Sequence, residues 1–247
     1  MSSSISFVKT SELDLRGLSP SYFITGYQGF GMLGYLTTRH IVRELKLQKI
    51  GFIKTRYMPE FTMYSRERGL MYPFEVYAGK IGSNNAVIVL HNATPSEKER
   101  TSYTEYLAKL ARDIGVKEVI LVGGLDPSLR EDVNEKYRWI PIGNTSIKLN
   151  AKLLEERHVI GPLALTMMFM NAYGLSGVTI LAYTELYRPD PKASAVAVEV
   201  ISSILGVEIN TSSLLEEASL IEAIEAEREK VEKAIEESEK KSRLSYI

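Results

Sequence analysis

Two short runs constrain this chain most: Ala86-Val87-Ile88-Val89-Leu90 and Val119-Ile120-Leu121-Val122, apolar at every position. A strand with one wet face alternates apolar and polar residues, whereas a run without alternation belongs to a strand covered on both faces. Such strands need layers above and below them, so the rest of the chain must supply helices. It does so in turn. Tyr22-Phe23-Ile24-Thr25 reads as a buried strand, followed by a glycine-rich turn over 26–34. A helix then runs to about Leu45, with Leu36, His40, Ile41 and Leu45 at helical spacing. Further strands are expected near 50–54, 74–77, 86–91, 119–122, 139–142 and 179–183, and helices over 161–173 and 192–205. Thr94-Pro95-Ser96-Glu97 has the form of a capping box with proline at the first helical position, so a helix is expected to start there and stop at Gly115. Strands alternating with helices over this length predict an α/β three-layer sandwich around a largely parallel central sheet.

The last part of the chain differs in kind. Ser213 reads as an N-cap with Glu216 completing a capping box, and the helix expected there runs to about Lys241 without Gly or Pro. Its apolar positions Leu214, Ala218, Ile221, Ile224, Val231 and Ile235 form a narrow stripe interrupted by Arg228. A stripe this thin packs on the body, pairs with a neighbouring subunit's helix, or stays solvated behind Glu–Lys pairs. The expected division is 1–210 as the α/β domain, 211–241 as a charged helix and 242–247 as a flexible tail. That tail reads Leu244-Ser245-Tyr246-Ile247. A tyrosine combines a large ring with a hydroxyl, and a carboxylate beside it suits capture by a lysine or backbone nest of a partner. Fraying, or folding back onto its own body, is the alternative.

Composition excludes more than it suggests. There are no cysteines, which removes disulfides, thiol nucleophiles and thiolate metal sites. A net charge of −1 gives no electrostatic case for nucleic acid or an anionic membrane. No run is long and apolar enough to span a bilayer, and the first residues carry no secretory signal, so a cytoplasmic setting is expected. Scarce glutamine (only Gln28 and Gln48) with abundant Glu and Lys resembles a thermophile's composition.

The tempting motif is Gly29-Phe30-Gly31-Met32-Leu33-Gly34, a literal GxGxxG between a strand and a helix. Its companion acidic residue about twenty positions on is missing, for the second strand ends in Lys54-Thr55-Arg56. Two readings stand: a tight turn that glycines permit, or an anion-binding helix N-terminus. His40, His91 and His158 are scattered without metal-ligand spacing, and no metal or cofactor is expected. His91 ends a buried strand and Asp126 follows another, which is where α/β folds place ligands. Gly29, Gly31, His91 and Asp126 are therefore the candidate pocket residues, with Asp126 equally readable as a turn former. No acid–base pair assembles, and no catalytic residue is assigned. The connection over 56–74 interleaves Tyr57, Met58, Phe61, Met63, Tyr64, Met71 and Tyr72 with Arg56, Arg66 and Arg68. That mixture suits either a self-association surface or the packing of a long loop.

Five stretches belong together: Gly161-Pro162-Leu163-Ala164-Leu165, Ala172-Tyr173-Gly174-Leu175, residues 182–186, Pro189-Asp190-Pro191-Lys192-Ala193-Ser194-Ala195, and Leu205-Gly206-Val207-Glu208-Ile209. They resemble the proteasome assembly chaperone 2 (PAC2) family, of archaeal type. The glycine turn over 26–34 and Val122-Gly123-Gly124 are similar too, and the likeness spans roughly residues 20–240. The resemblance implies a non-enzymatic, homo-oligomeric protein on a sandwich distantly similar to nucleoside phosphorylases, without their active-site residues. It also implies a partner. Some archaeal members end in a hydrophobic–tyrosine–any-residue (HbYX) tail that inserts between α subunits of the proteasome core particle. Tyr246 and Ile247 match its last two places, Ser245 departs from it, and Leu244 offers the hydrophobic residue in a shifted register. The rival expectation is a nucleoside- or nucleotide-binding protein or enzyme on the same scaffold.

Overall fold

The computed structural model describes residues 5–13 and 15–244. Its frame is an eight-stranded sheet in the order β1-β3-β6-β7-β2-β8-β10-β9. These strands are β1 (Ser6–Lys9), β2 (Tyr22–Gly26), β3 (Gln48–Lys54), β6 (Phe74–Ile81), β7 (Asn84–His91), β8 (Glu118–Leu125), β9 (Tyr137–Ile142) and β10 (Gly177–Tyr183). A separate two-residue hairpin, β4 (Tyr64–Ser65) with β5 (Gly69–Leu70), sits in the aromatic connection. The helices are α1 (Leu33–Glu44), α2 (Arg100–Asp113), α3 (Gly161–Ala172), α4 (Pro191–Leu205) and α5 (Ser212–Leu244).

The three layers follow from the unalternating runs. Successive side chains of a strand point to opposite faces. Val87, Val89, Val119 and Leu121 accordingly join one core with Tyr103 and Leu107 of α2 and Met170 of α3. Ile88, Leu90, Ile120 and Val122 join the other, with Ile41 of α1 and Val198 and Ile201 of α4. All eight of these strand residues are fully buried.

The sheet is mixed, which corrects the expectation of a largely parallel one. β7, β2, β8 and β10 are mutually parallel. β1, β3 and β6 add antiparallel on one side and β9 on the other. The reason lies in the connections: β6 and β7 are joined by Gly82-Ser83 alone, with Gly82 at φ 58°, and a two-residue turn can only reverse the chain. Pro141 is tolerated in β9 because that strand is an edge.

Two helix starts also move. α2 begins at Arg100 rather than at the Thr94 box; residues 97–99 form a turn, and Glu99 is buried there, its Oε2 accepting the Tyr57 N–H at 3.1 Å. α5 begins at Ser212, whose N–H is taken by Asn210 Oδ1 at 2.7 Å in a turn just before the helix; the Thr211 carbonyl accepts the Leu214 and Leu215 N–H groups, and Ser213 lies inside the helix. α5 continues to Leu244, three residues past the expected end at 241.

Candidate functional site

A cavity of about 550 Å³ opens at the carboxyl ends of the parallel strands β2 and β8. Tyr27, Phe30, Leu125, Leu154, Val159 and Leu163 give it mostly apolar walls. It sits where α/β sheets place their ligands. The glycine turn forms its edge, and backbone contact explains that turn. A Cβ on Gly26 would lie 2.6 Å from Gly34 Cα and 2.7 Å from the Val122 carbonyl oxygen, so α1 crosses β2 with no space between them. Gly31 has φ 62°, and its carbonyl accepts the Asp190 N–H at 2.9 Å. A side chain there would strike Thr184. These glycines serve close approach of backbone to backbone.

The four pocket candidates are not brought together. Gly29 and Asp126 line the cavity, while Gly31 is packed behind it under Thr184 and His91 is absent from its wall. Asp126 is committed to the chain, its Oδ1 accepting the Ser128 N–H at 2.8 Å and capping the short turn Pro127–Leu129. The hydrogen bonds from Ser128 lower its carboxyl pKa. His91 has no solvent exposure. Its Nδ1–H donates to the Gly26 carbonyl at 3.0 Å, which leaves Nε2 to accept from the Tyr103 hydroxyl at 2.9 Å. Burial, only partly opposed by the Gly26 bond, pulls its pKa down to about 3. It is a neutral core histidine that ties β7 to β2 and α2.

Other polar groups near the cavity are also occupied. The Tyr27 hydroxyl meets Thr166 Oγ1 at 2.7 Å, and Gln28 Nε2 donates to the Asn92 carbonyl at 2.8 Å. The space therefore suits an apolar body better than a charged one. Its far wall, Val159, Ile160, Pro162 and Leu163, was missed from the sequence. Those residues sit in and around the α3 start, and nothing local tells that they face β8.

The second candidate is the C-terminal arm. Leu214 and Ala218 are buried, and Arg39–Glu217 and Arg188–Glu225 ion pairs hold the first part of α5 to the body. Beyond Glu225, Val231 and Ile235 are half exposed, and the ion pairs are internal to the helix, Arg228–Glu232 and Lys230–Glu227. From Glu225 to Leu244 the helix extends about 29 Å at 1.5 Å per residue. Leu244 ends it; Ser245, Tyr246 and Ile247 lie outside the described residues. Among the described residues no helix is long and apolar enough to cross a membrane.

Fold and site together define a three-layer α/β protein with a mixed sheet, an apolar cavity whose wall carboxylate caps a turn, and a terminal helical arm. Residues 23–229 match the PAC2 family, and the chain belongs to it. The structure is similar to PbaA of Pyrococcus furiosus, an archaeal homolog of proteasome-assembly chaperone, with a TM-score of 0.76 and 22% identity, covering 98% of this chain and 99% of that one. It is also similar to PbaB of the same organism, an archaeal proteasome activator, with a TM-score of 0.74 and 19% identity over 92% of this chain and 99% of that one. An uncharacterized Methanocaldococcus jannaschii protein, MJ1210, is 24% identical over 219 residues, 85% of this chain and 83% of its own length.

Proposed function

We propose that this protein is a non-enzymatic, cytoplasmic proteasome assembly or activation factor that docks on the α ring of the core particle through Leu244, Ser245, Tyr246 and Ile247. Family membership and the likeness to PbaA and PbaB support the proteasome connection. The observation that carries the tail reading is α5 itself. Its ion-paired root fixes a direction, and its outer part projects beyond the body contacts to Leu244. One buried tyrosine and a little more supply roughly 2–3 kcal/mol from apolar area. That is too little once ordering is counted. Docking therefore needs several tails on one homo-oligomer, where effective concentration adds about two to four orders of magnitude.

The test is recovery of purified core particle on the full-length protein and on a chain ending at Leu244. Recovery is expected to fall about tenfold or more on truncation. Tyr246→Ala should give a similar loss with an unchanged melting temperature. Equal recovery on both chains would end the tail reading.

The cavity at the ends of β2 and β8 favours a second reading, a binder of a small uncharged molecule such as a nucleoside, with the base against the apolar walls. Saturable thermal stabilisation by a nucleoside, abolished by Gly29→Leu at the cavity edge, where an added Cβ meets nothing within 4 Å, would favour it over docking alone.

A further inference from the structure

No charged residue occurs between Val159 and Thr184, and α3 lies within that run. A helix that is apolar all round is normally covered all round. Here one side is covered. Leu163, Thr166 and Met170 are buried, whereas Gly161, Met168, Asn171 and Ala172 are exposed and Ala164 and Leu165 half-buried. Positions 161, 164, 165, 168, 171 and 172 follow one another at three- and four-residue steps, so they form a single outer stripe. Met168 is 64% exposed, and Ile160, which leads into the helix, is 71% exposed. Neighbouring α2, which packs on the same core, has an ordinary solvated face carrying Glu105, Lys109, Arg112 and Asp113. The exposed positions of α1 and α4 carry charge as well, Arg43 on the first and Lys192 and Glu199 on the second.

The chemistry of the stripe restricts what can cover it. A partner that grips through ion pairs finds no charge here, and any charge it brought would be desolvated without return. The polar side chain on the stripe, Asn171, already commits Oδ1 to the Gly143 N–H at 3.2 Å. The occupant is therefore an uncharged apolar surface. Other exposed apolar groups of this chain are interleaved with charge: Phe61, Met63 and Tyr64 with Glu60, Arg66 and Glu67, and Ile224 and Val231 with Glu225 and Glu232. Among the described residues, the surface that matches α3 is α3 itself.

Shape and end charges agree with that match. Met168 stands between Ala164 and Ala172, about one turn away on each side, so an antiparallel copy can seat its own Met168 over either alanine. Exposed Glu155, Glu156 and Arg157 precede the helix. At its far end Lys109 and Arg112, ion-paired to Glu105 and Asp113, lie 5.7 and 5.0 Å from the centre of the Tyr173 ring. Antiparallel pairing turns Glu155 and Glu156 of one copy toward Lys109 and Arg112 of the other and opposes the two helix dipoles favourably. Parallel pairing would set like ends together.

We propose that α3 is a self-association surface, packed antiparallel on α3 of a second copy about a two-fold axis with the two Met168 side chains interlocked. This gives a surface to the homo-oligomer that tail docking calls for, but it is argued from α3 alone. The helix is about 18 Å long, too short to fill by itself the roughly 800 Å² per partner of a standard interface. Association is therefore expected to be reversible, at about micromolar concentration.

Sedimentation velocity on the full chain, from about 1 μM to about 1 mM, tests this without core particle, so its outcome is separate from that of tail truncation. Wild type is expected to exceed the monomer mass. Either seating sets the two 168 positions about 6 Å apart along the pair, four residues at 1.5 Å each. Met168→Glu should therefore bring like charges together and weaken association about tenfold or more, with an unchanged melting temperature. Met168→Lys should do the same, and mixing the two variants in equal amounts should restore the mass, which a folding defect would not allow. A monomeric wild type at every concentration, undiminished association in Met168→Glu, or variants that stay apart on mixing would overturn the proposal. In the first case, flotation of the protein with phosphatidylcholine vesicles would give the face to a lipid surface instead.

Discussion

Glu75 has no solvent exposure, yet its carboxylate is ionised, because five donors converge on it. Oε1 takes the Lys49 ammonium at 3.2 Å and the Tyr72 N–H at 3.2 Å; Oε2 takes Arg68 at 2.6 Å, Tyr77 at 3.0 Å and Asn92 at 3.0 Å. Burial raises its pKa, but the charges of Arg68 and Lys49 and the Asn92 bond outweigh it and leave the value lowered. The unfolded chain, with an ordinary carboxyl pKa of about 4.3, therefore binds the proton more readily than the folded one. The contribution is fully present above about pH 4.3 and is lost as pH falls through the folded value. Lys49 also donates to the Arg68 and Leu70 carbonyls, so the same network pins the β4–β5 hairpin. Glu75→Gln leaves two cations without their counter-charge and is expected to cost about 3–5 kcal/mol in urea unfolding at neutral pH. Because Arg138 also holds Glu135 down at about 2, wild type and variant must be compared across pH. The gap between them should narrow below about pH 4.3, and a constant gap would reject the assignment. No local pattern announces this site, since its donors come from residues 49, 68, 72, 77 and 92, on separate segments.

At the scale of elements, the sequence was most legible where punctuation is local. α3 and α4 begin within a residue of expectation, and α2, α3 and α4 end at Gly115, Gly174 and Gly206, each in the left-handed region. The strands covered on both faces were equally readable, since burial on two sides leaves its mark at every position. Pairing was not. Only Phe74–Tyr77 and the residues from Ala86 onward were read as strands, so the second half of β6, the first two residues of β7 and the two-residue turn between them were missed, and with them the antiparallel side of the sheet. β1 was missed because Ser-Phe-Val-Lys is short and lies at an edge. The pocket candidates show the same division. Gly29 and Asp126 were placed at strand ends correctly, but the opposing wall depends on where residues 158–163 return, which is a tertiary fact. α5 separates two readings of its stripe. Ile224, Val231 and Ile235 are exposed, and their flanks carry Glu225, Glu227 and Glu232. Two copies aligned in parallel would set Glu227 against Glu232, so this stripe resists parallel pairing with itself. Outside α5, Tyr57, Phe61, Met63 and Tyr64 supply exposed apolar area.

For the whole molecule, the proposed docking turns on how many tails would act at once. A single tail worth roughly 2–3 kcal/mol corresponds to binding weaker than millimolar. On the proposed oligomer, the second and later tails would bind from an effective concentration set by the body and its arms, so affinity would rise steeply with tail number. The long α5 matters here because a stiff arm loses little freedom on docking, whereas a flexible linker of equal reach would lose more. Independent tails and cooperating tails then differ in a measurable way. When full-length chains are co-refolded with chains ending at Leu244, light scattering should give one oligomer size across all mixing ratios. Recovery of core particle should then fall faster than the fraction of truncated chains rises, with equal mixtures retaining well under half of the full-length value. A strictly proportional fall would mean that each tail acts alone, and at the affinity available to one tyrosine the arm would not hold the particle.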